Sequence, residues 1–368
     1  MQRDVITFRQ YALTIFVAIF SPVSRLLPKA VVEVAGISGW VAPLLAFLPL
    51  LGLIWMVEKL LTVDGVKHSL AAALRLRLGK WPGKIICLFY GLWIAVYGGF
   101  LLRSGGERLV STIYPTAHLP LFLVAMLVPV VIAAMGPLCY AVRSAVVLML
   151  LFVGALIAVN LLAVPNIKLQ YLLPVNVLKP GRLLLSAVPV VNVLSSWVNF
   201  SFLRDRVVED GNVMRRSAGY LVLLILMVIL LLVTTVGILG PELCLRHQFP
   251  FFIMIKNLTF FNVIERIEPV VVMIWLLTDY VCITMQLISA GEALRNVFEI
   301  GKRSHYVFPI SFAMLAVSFA IAKDAFRFMW VSNVVIPIIN LCIVFILLPI
   351  FLVLSVFRKK LRKMKKRC

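Results

Sequence analysis

Charge is scarce in this chain and acidic charge scarcer still: only 14% of its 368 residues are Asp, Glu, Lys or Arg, and 15 of them are acidic. Soluble domains carry about a quarter charged residues, so a water-solvated fold is excluded. Catalytic patterns are missing as well. There is no HExxH, GxSxG or phosphate-loop signature, and the four histidines, His68, His118, His247 and His305, fall in loops or near span ends on opposite sides of the expected membrane. The six cysteines, Cys87, Cys139, Cys244, Cys282, Cys342 and Cys368, are scattered without CxxC or paired spacing. Neither a disulfide framework nor a zinc site is indicated, and no cofactor or enzymatic activity is expected.

Apolar sequence takes the place of all these. Hydrophobic residues make up 62% of the chain, and the mean hydropathy is +1.06. The runs Leu119 to Met135, Ala145 to Ala163, Tyr220 to Leu239 and Val334 to Val356 each approach the roughly 20 apolar residues that a helix needs to cross about 30 Å of hydrocarbon. The bilayer is the solvent.

A net charge of +21 could suggest nucleic acid, but the basic residues lie in short loops and form no soluble domain. Placing the N-terminus inside puts 24 of the 36 Lys and Arg residues in cytoplasmic segments: Arg3 and Arg9, Lys59 to Lys84, Arg143, Arg204 to Arg216, Arg295 to Arg303, and the tail from Arg358. That bias is the positive-inside rule, and with an even number of spans both termini are cytoplasmic. The basic tail suits a stop-transfer anchor and could also bind anionic headgroups. The expected organisation is therefore a transmembrane domain over 1–358 and a cytoplasmic tail over 359–368. Met1-Gln2-Arg3-Asp4 opens onto an apolar stretch without a small-residue cleavage site, so the first segment is expected as a retained span.

Ten spans are predicted. Helix 1 lies near 6–27, helix 2 near 36–61, helix 3 near 83–109, helix 4 near 119–136 and helix 5 near 140–163. Helix 6 follows near 184–203, helix 7 near 216–239, helix 8 near 263–295, helix 9 near 306–322 and helix 10 near 332–357. Leu70 to Leu78, with Arg75 and Arg77, suits a short amphipathic helix on the cytoplasmic face, and Phe249 to Ile255 a second interfacial helix outside.

Polar residues within spans are the candidates for function. In helix 1, Ser21-Pro22-Val23-Ser24-Arg25 interrupts an apolar run; proline deletes a helical hydrogen bond, which gives either a simple kink or a break lining a cavity. Helix 6 carries Pro189, Asn192, Ser195, Ser196, Trp197 and Asn199. Helices 1 and 6 are five apart, the interval that a five-plus-five inverted repeat with two broken helices requires, with repeats near 6–163 and 184–357. Asn and Ser can equally join helices by hydrogen bonds.

In helix 8, Glu265, Arg266 and Glu268 precede Trp275, Asp279, Cys282, Gln286 and Ser289. From Glu268, positions 272, 275, 279, 282, 286 and 289 advance by fours and threes along one face. That stripe faces protein or water. Asp279 lies near mid-span, where an ionisable group is expensive unless paired or functional, so an ion or water pathway is expected at Asp279 with Glu265 and Glu268. The glutamates have the alternative of offsetting the helix dipole in its first turn or pairing with Arg266. Helix 3 brings Trp93 and Tyr97, either pocket wall or packing, and Gly98, Gly99, Gly105 and Gly106, which permit close helix approach.

The residues Phe261-Asn262-Val263-Ile264-Glu265-Arg266-Ile267-Glu268 with Trp275 resemble the signature of the endospore germination permease family, the B subunits of spore germinant receptors. Further landmarks occur in that family's order. They are Arg9-Gln10, Pro28, Leu78-Gly79-Lys80-Trp81-Pro82-Gly83, Leu173-Pro174-Val175, Gly240-Pro241-Glu242 and Phe249-Pro250. The resemblance implies an all-α polytopic membrane protein of the amino acid-polyamine-organocation superfamily, with the LeuT-like five-plus-five inverted repeat and broken helices 1 and 6.

It implies a receptor for a small nutrient, an amino acid above all, in the spore's inner membrane. Its expected partners are an A subunit, thought to conduct ions, and a lipoprotein C subunit. The family's pocket positions fall on Ser21, Trp93, Ser195, Cys282 and Gln286, and the backbone of Ser21, Pro22 and Val23 would meet a carboxylate or amine. Two features depart from the family pattern: Ser21-Pro22-Val23 stands where glycine is frequent, and Trp93 is bulky. An ion-coupled amino-acid transporter and an assembly subunit with a vestigial pocket are the alternatives.

Overall fold

The computed structural model describes residues 4–63, 65–173, 180–208, 211–258, 268–322, 324–351 and 353. Among them seven helical segments are long and apolar enough to cross a membrane, the first holding two of the expected spans, and two further apolar helices are 17 residues long. Helix 1 is Phe8–Ala35, helix 2 Ala42–Leu61, helix 3 Lys80–Thr112, helix 4 Leu119–Met135 and helix 5 Leu138–Ala163. Helix 6 combines Pro180–Leu185, Ala187–Leu194 and Ser195–Arg206; helix 7 is Val213–Arg246, helix 8 Glu268–Phe298 and helix 9 Ser304–Ala320. Helix 10 spans Phe326–Phe351. Both expected short helices are present, as Leu70–Leu78 and Pro250–Lys256.

Burial sorts the helices. About 67–72% of the most apolar stretch of helices 3, 6 and 8 is buried within the protein, against 28% for helices 5 and 10. Many of the buried polar residues sit on these three enclosed helices, and others, Ser21, Ser24 and Arg25 of helix 1 and Asn340 of helix 10 among them, reach the interior from their neighbours.

Local chemistry fixes the ends. Thr7 Oγ1 accepts from the Gln10 amide at 3.2 Å while Gln10 Oε1 accepts from the Thr7 amide at 3.1 Å, a reciprocal capping box that starts helix 1. Two short strands then tie that start to the end of helix 6, β1 (Ile6–Thr7) pairing in parallel with β4 (Val207–Val208). Beyond helix 2, β2 (Thr62–Val63) pairs with β3 (Val66–Lys67). Arg77, on the short helix after them, donates to the carbonyls of Leu60, Lys59 and Thr62 at 2.9, 2.7 and 2.6 Å. It thereby satisfies acceptors left open at the C-terminus of helix 2, where a cation also suits the dipole.

Helix 1 departs from expectation. It is α-helical through both Pro22 and Pro28, so the break expected at Ser21, Pro22 and Val23 is absent. Every residue from Phe16 to Arg25 is buried, and an all-round buried helix is supported by its neighbours even where a proline removes one donor. Helix 6 does break where expected. At Ser195 its α-helix passes into a 3-10 helix of twelve residues, far beyond the usual three or four. Ser195 and Ser196 assist the change, their hydroxyls donating to the Asn192 and Val193 carbonyls three residues back at 3.0 and 2.7 Å. Helix 7 loses helical geometry at Gly240, one residue past its expected end, where a φ of 75° suits glycine, and a short helical turn continues beyond the kink to Arg246.

Candidate ligand and ion site

The predicted stripe of helix 8 faces inward throughout: Val272, Trp275, Asp279, Cys282, Gln286 and Ser289 are all buried. Its centre is Asp279, 1% exposed. The Ser21 hydroxyl of helix 1 and the Arg108 guanidinium of helix 3 donate to its two oxygens. Arg25 Nη1 lies 3.1 Å from Oδ1, close enough to pair but without hydrogen-bond alignment. Helices 1, 3 and 8 thus meet at one carboxylate. Gly105 makes the approach possible, since a Cβ there would stand 3.1 Å from Asp279 Oδ2 and 3.5 Å from Arg25 Nη1.

Aromatic residues close one side. The Arg108 guanidinium lies 5.0 Å from the Trp275 ring centre, a cation-π distance. Trp275 in turn contacts Phe251 and Phe252 of the short helix Pro250–Lys256, with centroids 5.5 and 6.1 Å away. On the other side of Asp279, Gln286 accepts from Asn199 of helix 6 at 3.1 Å. Trp93 and Tyr97 form a buried ring pair, 5.9 Å between centroids, and the Trp93 indole nitrogen has no hydrogen-bond partner among the described residues. Ser195 belongs to a neighbouring cluster, accepting from Asn340 of helix 10 at 3.3 Å; Asn340 also donates to Asn192 at 2.9 and 3.0 Å.

Of the expected site residues, Ser21 touches Asp279 directly, and Cys282 and Gln286 continue the same face of helix 8. Ser195 stands on the broken segment of helix 6, one turn before Asn199. Pro22 and Val23 are buried in regular helix, so their backbone is engaged in the helix. Ser21, Ser195, Cys282 and Gln286 are each at most 2% exposed, which makes this a closed arrangement. Glu265 lies outside the described residues, and Glu268 opens helix 8 with its side chain outside them. Arg25, Arg108 and Asn340 are polar partners that the sequence expectation did not include. A signal for the two arginines exists: they are cations within spans that the positive-inside rule does not place.

A second charged network lies at the end of the bundle where helix 1 begins. Arg303 donates to Asp4 at 2.6 Å, Arg206 approaches Asp4 at 3.9 Å and pairs with Glu292, and Arg295 reaches Glu292 at 3.5 Å. Alongside it Glu58 meets Lys67 and, at 3.5 Å, Arg204. Thirteen residues of helix 8 separate Glu292 from Asp279, about 20 Å at 1.5 Å per residue.

Ten apolar spans, one long 3-10 segment in the sixth, and a polar stripe on the eighth define a multi-pass membrane protein of permease architecture. Solved structures similar to it include the LeuT-fold transporter MhsT, determined in complex with L-phenylalanine. That likeness has a TM-score of 0.61 at 14% identity and covers 94% of this chain and 89% of MhsT; it establishes the fold. The chain belongs to the spore germination protein family of spore permeases, whose profile matches residues 5–327. A search of curated proteins returned no significant match.

Proposed function

We propose that this protein is the nutrient-recognition subunit of a spore germinant receptor, binding a small nutrient, an amino acid above all, in the permease-type core between helices 1, 3, 6 and 8. The observation that carries the reading is the inward stripe of helix 8 lying against the α-to-3-10 break of helix 6, joined by Asn199 and Gln286. A long 3-10 segment is a conformationally soft element. A ligand that contacts it, with Ser21, Trp93, Ser195, Cys282 and Gln286 around it, can prefer one arrangement of helix 6. Its differential affinity for the two arrangements is then the signal. The protein sits in the spore's inner membrane with both termini cytoplasmic, in two inverted repeats near 6–163 and 184–357. It acts with an A subunit and a lipoprotein C subunit.

The fold it shares with a transporter supports a second reading, uptake of an amino acid coupled to Na⁺ or H⁺. Asp279 is poorly suited to hold a cation there, because any cation must first displace a guanidinium already on its oxygens. Accumulation of radiolabelled amino acid in vesicles, abolished by an ionophore, would support transport.

The deciding experiment is germination of spores in which this chain is the only B subunit, across single amino acids, sugars and nucleosides, with Cys282→Trp as the blocked control. The expected result is a response to one nutrient that the substitution abolishes at normal protein level. Indifference to Cys282→Trp would move the function to transport or to assembly of the partner subunits.

A further inference from the structure

Two guanidiniums and one carboxylate share the core, all at most 2% exposed in side chain. Asp279 neutralises one arginine. Among the described residues the other has no carboxylate of its own, which leaves an excess of one positive charge there, and donors are idle: Nε, Nη1 and Nη2 of Arg25, with Nε and Nη1 of Arg108, have no hydrogen-bond partner among those residues. A buried uncompensated ion is costly by several kcal/mol, and arginine forks recognise anions through paired N–H donors. The other inward charges on helix 3 do not relieve it, because Arg103 and Glu107 pair with each other at 2.6 Å.

We propose that Arg25 and Arg108 form a binding site for a small monovalent anion, which bridges helices 1 and 3 beside Gly105 and joins Asp279 in neutralising the pair. The chemistry fits a halide ion or the carboxylate of a small organic acid such as an amino acid. Gly105 is the glycine that stands beside both Asp279 and Arg25, with Met126 Cε packed over it 2.6 Å from where a Cβ would be, so that flexible thioether side chain is what an anion there would displace. Trp275, stacked on Arg108 and backed by Phe251 and Phe252, excludes water from the charge and strengthens the attraction. With a halide as occupant the site stands apart from nutrient sensing; with a carboxylate it rests on the proposed nutrient-binding function. If the anion is the ligand's own carboxylate, it also specifies what the receptor reads.

The test is thermal unfolding of the purified, detergent-solubilised full chain in sodium methanesulfonate, titrated at constant ionic strength with sodium chloride, sodium propionate, L-alanine or ethylamine. A saturable rise of the midpoint with chloride alone identifies a halide. A rise with propionate and L-alanine but not ethylamine identifies a carboxylate. Arg25→Gln removes the excess charge and should weaken the apparent Kd at least about tenfold, the loss of roughly one charge-assisted contact. Asp279→Asn raises the excess and should tighten it. A wild-type midpoint unmoved by chloride, propionate and L-alanine overturns the proposal without recourse to any variant. So does a rise that Arg25→Gln retains at the same half-saturating concentration. Either failure leaves the germination response in spores unaffected, so the two readings are separable.

Discussion

The two charged clusters of this protein solve the same electrostatic problem in opposite ways. Near the start of helix 1, Asp4 and Glu292 face Arg206, Arg295 and Arg303 with partial access to water, Arg295 being 42% exposed in side chain. About 20 Å further along helix 8, Asp279 faces Arg25 and Arg108 with almost none. Water can screen an imbalance in the first cluster. In the second nothing can, so each charge depends on its partner. Burial, more than the number of ion pairs, determines which cluster the fold relies upon.

The largest effect should come from breaking the buried cluster. Asp279→Leu leaves two guanidiniums facing each other and should cost about 3–5 kcal/mol, read as loss of folded protein or a collapsed unfolding midpoint in detergent. Asp4→Ala, in the wetter cluster, should cost under about 1 kcal/mol. Equal losses in the two variants would end the distinction. A packing change of intermediate size tests the scaffold that brings helix 3 to the site. Any side chain at Gly99 meets the Met314 carbonyl at 2.6 Å and Val317 Cβ at 2.9 Å, so Gly99→Leu should destabilise by about 1–3 kcal/mol, measured in the same assay. Smaller again, Asn199→Ala removes the only hydrogen bond found to Gln286 Oε1 among the described residues and should cost about 1 kcal/mol. The least effect belongs to the exposed Glu299. Lys84 bonds it at 2.8 Å and holds its carboxyl below the usual glutamate range. Any contribution is therefore present above that range and lost only as pH falls below it. Glu299→Gln should leave the midpoint unchanged at neutral pH.

Much of this was legible in the sequence. Helix positions follow from apolar runs of membrane length, and the inward face of helix 8 follows from the three-and-four spacing of Trp275, Asp279, Cys282 and Gln286, because periodicity is a local property. In helix 1 the residues alone left a kink and a break both open, and only the resemblance favoured the break. Proline announces a break wherever it occurs, but whether Pro22 breaks the helix is decided by the neighbours that bury Phe16 to Arg25. Arg25 and Arg108 were visible as cations that topology leaves unplaced, yet their convergence on Asp279 joins positions 171 and more residues apart, which no local pattern encodes. Asn340 was hidden similarly, as a polar residue in a mainly apolar helix whose partners lie on helix 6.

The twelve-residue 3-10 stretch of helix 6 has a mechanical consequence. At about 2.0 Å per residue it spans roughly 24 Å, where the same residues in an α-helix would span about 18 Å. Rewinding it would draw Arg206 and the Val207–Val208 strand some 6 Å toward Asn192. The start of helix 1, zipped to that strand through Ile6 and Thr7, would feel the pull. Helix 6 is a telescoping strut, able to convert a change of winding at Ser195 into a displacement at the far face of the bundle.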